Sequence, residues 1–149
     1  MKTAISKLTV ISMLTISLFS SCSKNDDMIV RKTALLTQRE WKFEIYGLDE
    51  NNNGVIEPVE SSMQSCEKDD LFKFYADCTG VFTSGDSACS EGEVPLLNFD
   101  WRFIDHGTQL AVFAAPEMIS RLDENVLEIY YMDQNLQGEA VRYIRKFRH

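Results

Sequence analysis

The twelve residues that begin at Asp49 have the composition and spacing of a calcium-binding loop. Asp49, Asn51 and Asn53 supply side-chain oxygens at positions 1, 3 and 5, and Val55 supplies a backbone carbonyl at position 7. A glycine occupies position 6 and the carboxylate of Glu60 occupies position 12, as this ligand pattern requires. The pattern predicts Ca²⁺ as an optional ligand, and a plain polar turn after a strand is the alternative interpretation.

Three cysteines, Cys66, Cys78 and Cys89, frame a predicted β-hairpin. Two short apolar segments, 71–76 and 80–84, flank a turn around Cys78, and antiparallel pairing across that turn places Cys66 nearly opposite Cys89. We therefore predict a disulfide between Cys66 and Cys89, with Cys78 left as a spare thiol. A zinc site of three cysteines is the alternative, but their spacing contains no C-x-x-C pair.

Side chains suited to catalysis are sparse in this chain. The two histidines are His106, in a predicted turn, and His149, the last residue, so a Ser-His-Asp arrangement is not indicated. The adjacent acids Asp69 and Asp70 would face opposite sides of a strand, which argues against an acid–base pair. We predict that the protein is not an enzyme and requires no cofactor.

The N-terminal segment has the layout of a processing signal. Residues 1–21 begin with two lysines and continue with an apolar run too short to span a bilayer. The letters LFSSC, which end at Cys22, resemble a bacterial lipobox, and this resemblance implies cleavage before Cys22 and acylation of its thiol. A plain secretory signal is the alternative. Residues 22–32 are then the lipidated cysteine and a polar tether.

The polar letters SKNDD that follow Cys22 resemble the export signal of surface lipoproteins in one group of Gram-negative bacteria. The resemblance implies an outer-membrane lipoprotein that faces the periplasm or the cell surface, and a simple solvated tether is the alternative. Residues 28–36, which overlap the end of the tether, are predicted to form a short helix closed by Thr37.

Charge excludes one class of partner. The chain of 149 residues carries a formal charge of -8, and removal of the two basic residues of segment 1–21 lowers it further to -10. So acidic a surface repels nucleic acid and anionic lipid, and we expect no nucleic-acid partner.

The body of the chain, residues 33–149, reads as one all-β domain of eight short strands with turn residues between them. Pro116 is expected in a connection and not in a strand. Such regular short strands suggest a sandwich or a barrel. The predicted strands are 41–46, 71–76, 80–84, 97–104, 108–114, 117–122, 126–132 and 139–148.

Several short motifs resemble bacterial lipocalin-like lipoproteins over most of residues 33–148. They are Trp41, the C-x-x-D-D start at Cys66, the second cysteine at Cys89, the W-x-F strand from Trp101 and the terminal Y-x-R-K-F strand. The resemblance implies an eight-stranded antiparallel up-and-down barrel and a small apolar ligand. This chain departs from the lipocalin signature at Arg39, where that signature has glycine, and its short length implies a barrel that is small or partly filled.

Inward aromatic residues could form the ligand cup of such a barrel. The candidates are Trp41, Phe72, Phe74, Phe99, Trp101 and Phe103. Cavities of this class are mostly apolar, but the same stripes also describe a filled core. A filled barrel would favour the second function, an interaction module that presents the acidic loop to a protein or glycan. The resemblance also implies that Arg142 or Arg145 closes over Trp41, and an arginine that faces solvent is the alternative.

Overall fold

The computed structural model describes residues 27–149. The predictions for the signal peptide, for acylated Cys22 and for the first part of the tether concern residues outside this range. Within residues 27–149, no helix is both long and apolar enough to cross a bilayer.

The described chain consists of one α-helix followed by eight strands. Two short 3₁₀ helices, Ser65–Asp69 and Asp105–Gly107, lie in the connections before β2 and after β4. The helix begins inside the range assigned to the tether. The elements are α1 Asp27–Thr37, β1 Glu40–Asp49, β2 Leu71–Phe74, β3 Thr79–Thr83, β4 Leu96–Ile104, β5 Gln109–Val112, β6 Ala115–Leu122, β7 Val126–Gln134 and β8 Ala140–Arg148.

The eight strands form one closed antiparallel barrel. Each strand pairs with the next along the chain, and β8 pairs with β1, so that Phe147 lies opposite Phe43 and closes the ring. Closure gives each of the eight strands two neighbouring strands, which suits an all-β chain of this size. The expected all-β class and the eight-stranded antiparallel up-and-down topology are therefore confirmed.

Strands β1 and β6 extend further than their sequence patterns predicted. β1 continues past Gly47 to Asp49 because these residues pair with β8. Residue 47 is a glycine because a Cβ there would lie 2.1 Å from the Glu60 carbonyl oxygen. Pro116 lies within β6 and not in a connection. The reason is the tight turn before it, in which Phe113 and Ala114 have φ values of 52° and 66°, as a two-residue hairpin turn requires.

Helix α1 covers one end of the barrel, which we call the closed end. Ile29 and Leu36, seven residues apart, lie on one face of the helix and are both buried. Lys32 Nζ donates a hydrogen bond of 2.6 Å to the carbonyl of Gly107, in the connection after β4. Trp41 Nε1 donates one of 2.9 Å to the Leu36 carbonyl, which fixes the helix to β1.

The opposite end is called the mouth. Because neighbouring strands are antiparallel, alternate connections lie at opposite ends, and the connection that contacts α1 identifies the closed end. Four connections consequently lie at the mouth: residues 50–70, 84–95, 113–114 and 135–139. The apolar core fills the barrel from the closed end, and it includes Leu36, Trp41, Trp101, Leu110 and Leu127.

Candidate functional site at the mouth of the barrel

A disulfide joins two of the mouth connections. Cys66, in the 3₁₀ helix before β2, is bonded to Cys89, in the connection after β3, with their Cα atoms 5.3 Å apart. The predicted pairing is thus confirmed. The bridge spans the hairpin β2–β3 at its open end, where the two strands separate.

Two neighbouring acids accept hydrogen bonds from the backbone of the connection after β3. Asp70 Oδ1 accepts the backbone N–H of Gly85 at 3.2 Å, and Asp69 Oδ2 accepts that of Ser87 at 3.2 Å. The approach is so close that a Cβ at Gly85 would lie 2.0 Å from the Asp69 carboxyl carbon. These two acids order the connection after β3.

Cys78 differs from its prediction. It lies in the β2–β3 turn at the closed end, with a φ of 71°, and its backbone N–H donates to the Tyr75 carbonyl. Cys78 is disulfide-bonded, so the expectation of a spare thiol was wrong. Sequence spacing pointed to the correct partner for Cys66, but it could not show that the turn cysteine is also oxidised.

The acidic loop, residues 49–60, folds back on β1. Asp49 is the last residue of β1 and is fully buried; its Oδ2 accepts the N–H of Gly54 and pairs with Arg142 at 2.8 Å. Asn51 and Asn53 are exposed, and each side-chain oxygen accepts an N–H two residues further along. All five predicted calcium ligands therefore lie in one loop, which begins at buried Asp49.

Glu60 closes the acidic loop from its other end. Its carboxylate accepts the N–H of Glu50 at 3.1 Å and the N–H of Glu57 at 2.9 Å. Val55, whose carbonyl was assigned to position 7, is exposed. Residues 27–149 contain no group of three or more His, Cys, Asp or Glu side chains placed to hold a metal. The predicted ligand set includes two such side chains, Asp49 and Glu60, besides its amides. Calcium binding by the loop stays a prediction.

All six aromatic residues predicted for the cup face the interior of the barrel. Four of them are buried within the core, and the remaining two pack against it. The structure therefore brings the six together, while their role in ligand binding stays a prediction. The buried four are Trp41, Phe74, Phe99 and Trp101, and the other two are Phe72 and Phe103.

The two tryptophans are fixed by hydrogen bonds as well as by packing. Trp101 Nε1 donates to the carbonyls of Tyr75 and Thr79, at 3.0 and 2.9 Å. The ring that lies against Trp41 is that of His149, with centroids 3.9 Å apart. Arg142 and Arg145, the two candidates for closing over Trp41, pair with carboxylates elsewhere. The two tryptophans stabilise the closed end of the barrel.

Nearer the mouth, inward-facing aromatic residues are partly exposed. Phe43, Phe72 and Phe82 form a row of ring contacts, with centroid distances of 5.1 Å and 5.0 Å between successive rings. All three pack against the buried core but are themselves only half-buried. Because α1 covers the closed end, solvent reaches these inward rings from the mouth. They form an apolar floor that lies against the buried core.

A buried ion pair lies on the interior wall of the barrel. Glu117 on β6 shares the inward face with Ile119, and Arg145 on β8 shares it with Phe147. Arg145 Nη2 lies 2.9 Å from Glu117 Oε1; the arginine side chain is 34% exposed and the glutamate only 4%. Across residues 27–149, no hydrogen-bond partner reaches the second carboxylate oxygen, Glu117 Oε2.

Three tyrosines surround the arginine. The rings of Tyr131 and Tyr143 stack with centroids 5.1 Å apart, and Arg145 Cζ lies 5.8 Å from the Tyr131 centroid. Tyr46 lies beside Tyr143, and its hydroxyl donates to Glu67 Oε2 at 2.5 Å. The interior wall at the mouth is thus aromatic and polar, whereas the floor below it is apolar.

Burial controls the ionisation of these groups. Burial raises the pKa of Glu117, and the attraction of Arg145 offsets only part of that effect. Burial also raises the pKa of Tyr46, with a further rise from its hydrogen bond to Glu67, and burial is the largest cause of the raised pKa of Tyr143. The tyrosines are therefore neutral at pH 7, and the buried charge on Glu117 is energetically unfavourable.

Sequence reasoning did not identify Glu117 or the three tyrosines as site residues. A signal was present in the alternation along the strands. Arg145 lies two residues before Phe147, and Glu117 lies two residues before Ile119. Each charged residue is therefore on the same face of its strand as an inward apolar residue. Two charged residues of opposite sign at inward positions of different strands indicate a buried pair. The partner strand, however, follows only from the closed topology.

No protein-family model matches the chain, and a search of curated proteins found no match to it. The resemblance to lipocalin-like lipoproteins therefore stays a prediction. Function must be argued from the barrel and the groups at its mouth.

Proposed function

We propose that this chain is a lipocalin-like lipoprotein, anchored in the outer membrane through acylated Cys22, that binds a small hydrophobic molecule inside the barrel and catalyses no reaction. One observation carries the proposal. Phe43, Phe72 and Phe82 face the interior but stay partly exposed, so the barrel has an apolar floor that is accessible from the mouth. Accessible apolar surface within a concave wall is what small hydrophobic ligands require.

The rest of the barrel supports binding by making that floor rigid. The residues beneath it are buried together, and the two indoles donate to backbone carbonyls, so the floor has a fixed position. The disulfide and the two acids Asp69 and Asp70 order the connection that borders the mouth. A preformed site loses less conformational entropy when the ligand binds than a flexible one does.

The ligand site can be tested by filling it. We would replace Leu97, which faces inward on β4 directly opposite Phe82 of the floor, with tryptophan, and titrate the neutral fluorescent probe N-phenyl-1-naphthylamine. The matched control is Leu96→Trp, the same substitution on the outward face of β4. We expect the probe to bind the wild type and Leu96→Trp, and to bind Leu97→Trp at least about tenfold more weakly because the larger ring covers the floor.

Two outcomes would contradict the ligand site. If the wild-type protein binds no probe, the barrel is filled and the proposal of a hydrophobic ligand is wrong. If both variants bind the probe equally, binding occurs outside the barrel. Thermal unfolding of each variant separates a blocked site from a protein that has not folded.

The membrane anchor can be tested independently of the ligand. In a Gram-negative host supplied with labelled palmitate, we expect the wild-type chain to carry the label and to fractionate with the outer membrane. Cys22→Ala should lose the label and appear in the soluble periplasmic fraction. Acylation consumes the Cys22 thiol, so an acylated chain cannot also pair Cys22 with Cys78, although Cys78 is disulfide-bonded. An unlabelled wild-type chain would show that the N-terminal segment is a plain secretory signal and that the Cys22 thiol stays available for a disulfide.

A second candidate function is that of a calcium-stiffened interaction module, and one observation favours it. Asp49, the first residue of the acidic loop, is fully buried, and its Oδ1 has no partner within residues 27–149. An uncompensated buried carboxylate oxygen in a loop of oxygen donors favours a cation. The competing contact is the ion pair of Asp49 with Arg142, which already neutralises part of the charge.

Two matched variants in the same loop test this candidate. Glu60→Gln removes the charge at the twelfth ligand position, and Glu50→Gln removes an equal charge at a position that supplies no ligand. If the loop binds calcium, calorimetry should detect a heat of binding for the wild type and for Glu50→Gln, and none for Glu60→Gln. No heat for the wild type would exclude the calcium loop.

A further inference from the structure

Glu117 Oε2 is an acceptor that the fold leaves without a donor. The side chain is only 4% exposed and lies on the inward face of β6. Its partner Arg145 is directly opposite Tyr46 on β1, and the Tyr46 ring lies 5.0 Å from that of Phe43 in the apolar floor. An unpaired buried carboxylate oxygen costs on the order of 1–3 kcal/mol or more, so the position is unfavourable unless something donates to it. Arg145 satisfies only the other oxygen, Oε1.

The connections at the mouth make the entrance strongly acidic. Segments 50–70, 84–95 and 135–139 together contain many carboxylates and, as their one basic residue, Lys68. The acids are Glu50, Glu57, Glu60, Glu67, Asp69, Asp70, Asp86, Glu91, Glu93 and Glu139. A ring of one sign at an entrance attracts ligands of the opposite sign and repels those of the same sign. Anionic amphiphiles such as fatty acids are therefore disfavoured.

Aromatic rings line the approach to Glu117. Tyr131 and Tyr143 stack at the wall, and Arg145 lies over Tyr131 at 5.8 Å. The faces of these two rings favour a nearby cation, because the ring quadrupole stabilises a positive group over an aromatic face. The wall thus provides two features that suit a positively charged head group, a carboxylate acceptor and aromatic faces.

We propose that the mouth of the barrel binds a small hydrophobic amine, whose ammonium group donates to Glu117 Oε2 and whose apolar body lies on Phe43, Phe72 and Phe82. The proposal rests on the proposed function and names the class of its ligand. An alkyl ammonium group, like that of lysine, is protonated at pH 7. Glu117 then bridges two cations, Arg145 at Oε1 and the ligand at Oε2.

A series of three ligands of equal length tests the proposal. We would titrate octylamine, octanol and octanoate by calorimetry into the unacylated chain from Cys22 onward, secreted through a plain signal peptide so that its disulfides form. The three differ in charge and share the same apolar body. We expect octylamine to bind about tenfold to a hundredfold more tightly than octanol, the range of a hydrogen bond to a charged group. Octanoate should bind more weakly than either.

Glu117→Gln identifies the group responsible. It keeps the shape of the side chain and removes the negative charge, so octylamine affinity should fall to that of octanol while octanol affinity stays unchanged. The control is Glu44→Gln, which removes an ion-paired glutamate on β1 that pairs with Lys146 and Arg148 on β8. It changes the net charge equally, and we expect it to leave all three affinities unchanged.

The outcomes separate this proposal from the proposed function. If octanol binds as tightly as octylamine, or octanoate more tightly, the barrel binds hydrophobic ligands but the amine class is wrong. If Glu44→Gln weakens octylamine as much as Glu117→Gln does, the effect is one of net charge and the assigned contact is wrong. If none of the three compounds binds, the proposed function itself fails.

Discussion

The two ends of this barrel differ in how completely their buried polar groups are hydrogen-bonded. At the closed end the indole N–H groups of Trp41 and Trp101 each donate to backbone carbonyls, and Leu36 of α1 is fully buried above them. At the mouth, Glu117 and Asp49 are buried with one carboxylate oxygen unpaired in each. The difference indicates that the closed end is built for stability, whereas the mouth retains unfavourable groups, as binding sites commonly do.

The two ends are also ordered by different means. Apolar packing against α1 closes one end. At the mouth, a disulfide and the backbone N–H groups that donate to Asp69 and Asp70 order the connections. A wall that must admit a ligand cannot be packed shut. Covalent and polar connections between loops let it be rigid without being filled.

The same substitution at each end should give the largest difference. Leu110→Ala, at a fully buried position near the closed end, should lower the free energy of unfolding by about 2–5 kcal/mol. Leu97→Ala, inward on β4 but 45% exposed near the mouth, should cost about 1 kcal/mol, because less apolar surface is lost. Urea unfolding of both variants measures the contrast. Equal losses would mean that the mouth is packed as tightly as the closed end.

Removing the disulfide should weaken the mouth alone. The double variant Cys66→Ala with Cys89→Ala should lose about 2–4 kcal/mol of unfolding free energy, the usual contribution of such a bridge. Hydrogen exchange should speed up in segment 84–95 and stay slow in α1, which the bridge does not contact. Faster exchange in α1 at the native state would show that the two ends are coupled.

The pH dependence of stability should distinguish Glu117, a carboxylate at the mouth, from Glu44, a carboxylate on the outer surface. The folded pKa of Glu117 is raised, so its contribution to stability decreases as pH rises from about 4.5 through that folded pKa. Burial also acts on Glu44, but pairing with Arg148 and Lys146 outweighs it, so its pKa is lowered and its contribution is lost as pH falls below about 4.5. The two pH dependences therefore have opposite signs.

Glutamine variants measure those signs. Relative to the wild type, Glu117→Gln should gain stability as pH rises above about 4.5, and Glu44→Gln should be the less stable chain at neutral pH and converge with the wild type in acid. Chemical denaturation at several pH values is the measurement. A Glu117→Gln chain that becomes relatively less stable at neutral pH would mean that Arg145 compensates fully for burial.

The smallest effect is expected for an exposed ion pair at the closed end. Arg121 and Asp123 pair at 2.6 Å beside the β6–β7 turn, with both side chains well exposed. Arg121→Gln should change the free energy of unfolding by less than about 1 kcal/mol, since solvent screens such pairs. A larger loss in thermal or urea unfolding would place this turn among the elements that stabilise the closed end.

The fold was more predictable than the site. Alternation along strands such as Leu96–Ile104 and the turns between them indicated eight strands, and the hairpin geometry indicated the Cys66–Cys89 bridge. Local sequence could not place Pro116 inside β6, because its position depends on the two-residue turn before it. Nor could it pair Glu117 with Arg145, since that contact joins strands that are not neighbours in the barrel and depends on closure.

The pairing of β1 with β8 has a consequence for the order in which the chain can fold. Glu40 and His149, 109 residues apart, are in contact, and β1 obtains its second neighbouring strand only when β8 is in place. While the chain is being synthesised, β1 therefore presents an unpaired edge that can join another chain. Closure over so long a separation is also slow. The barrel should depend on a chaperone that protects this edge until the last strand arrives.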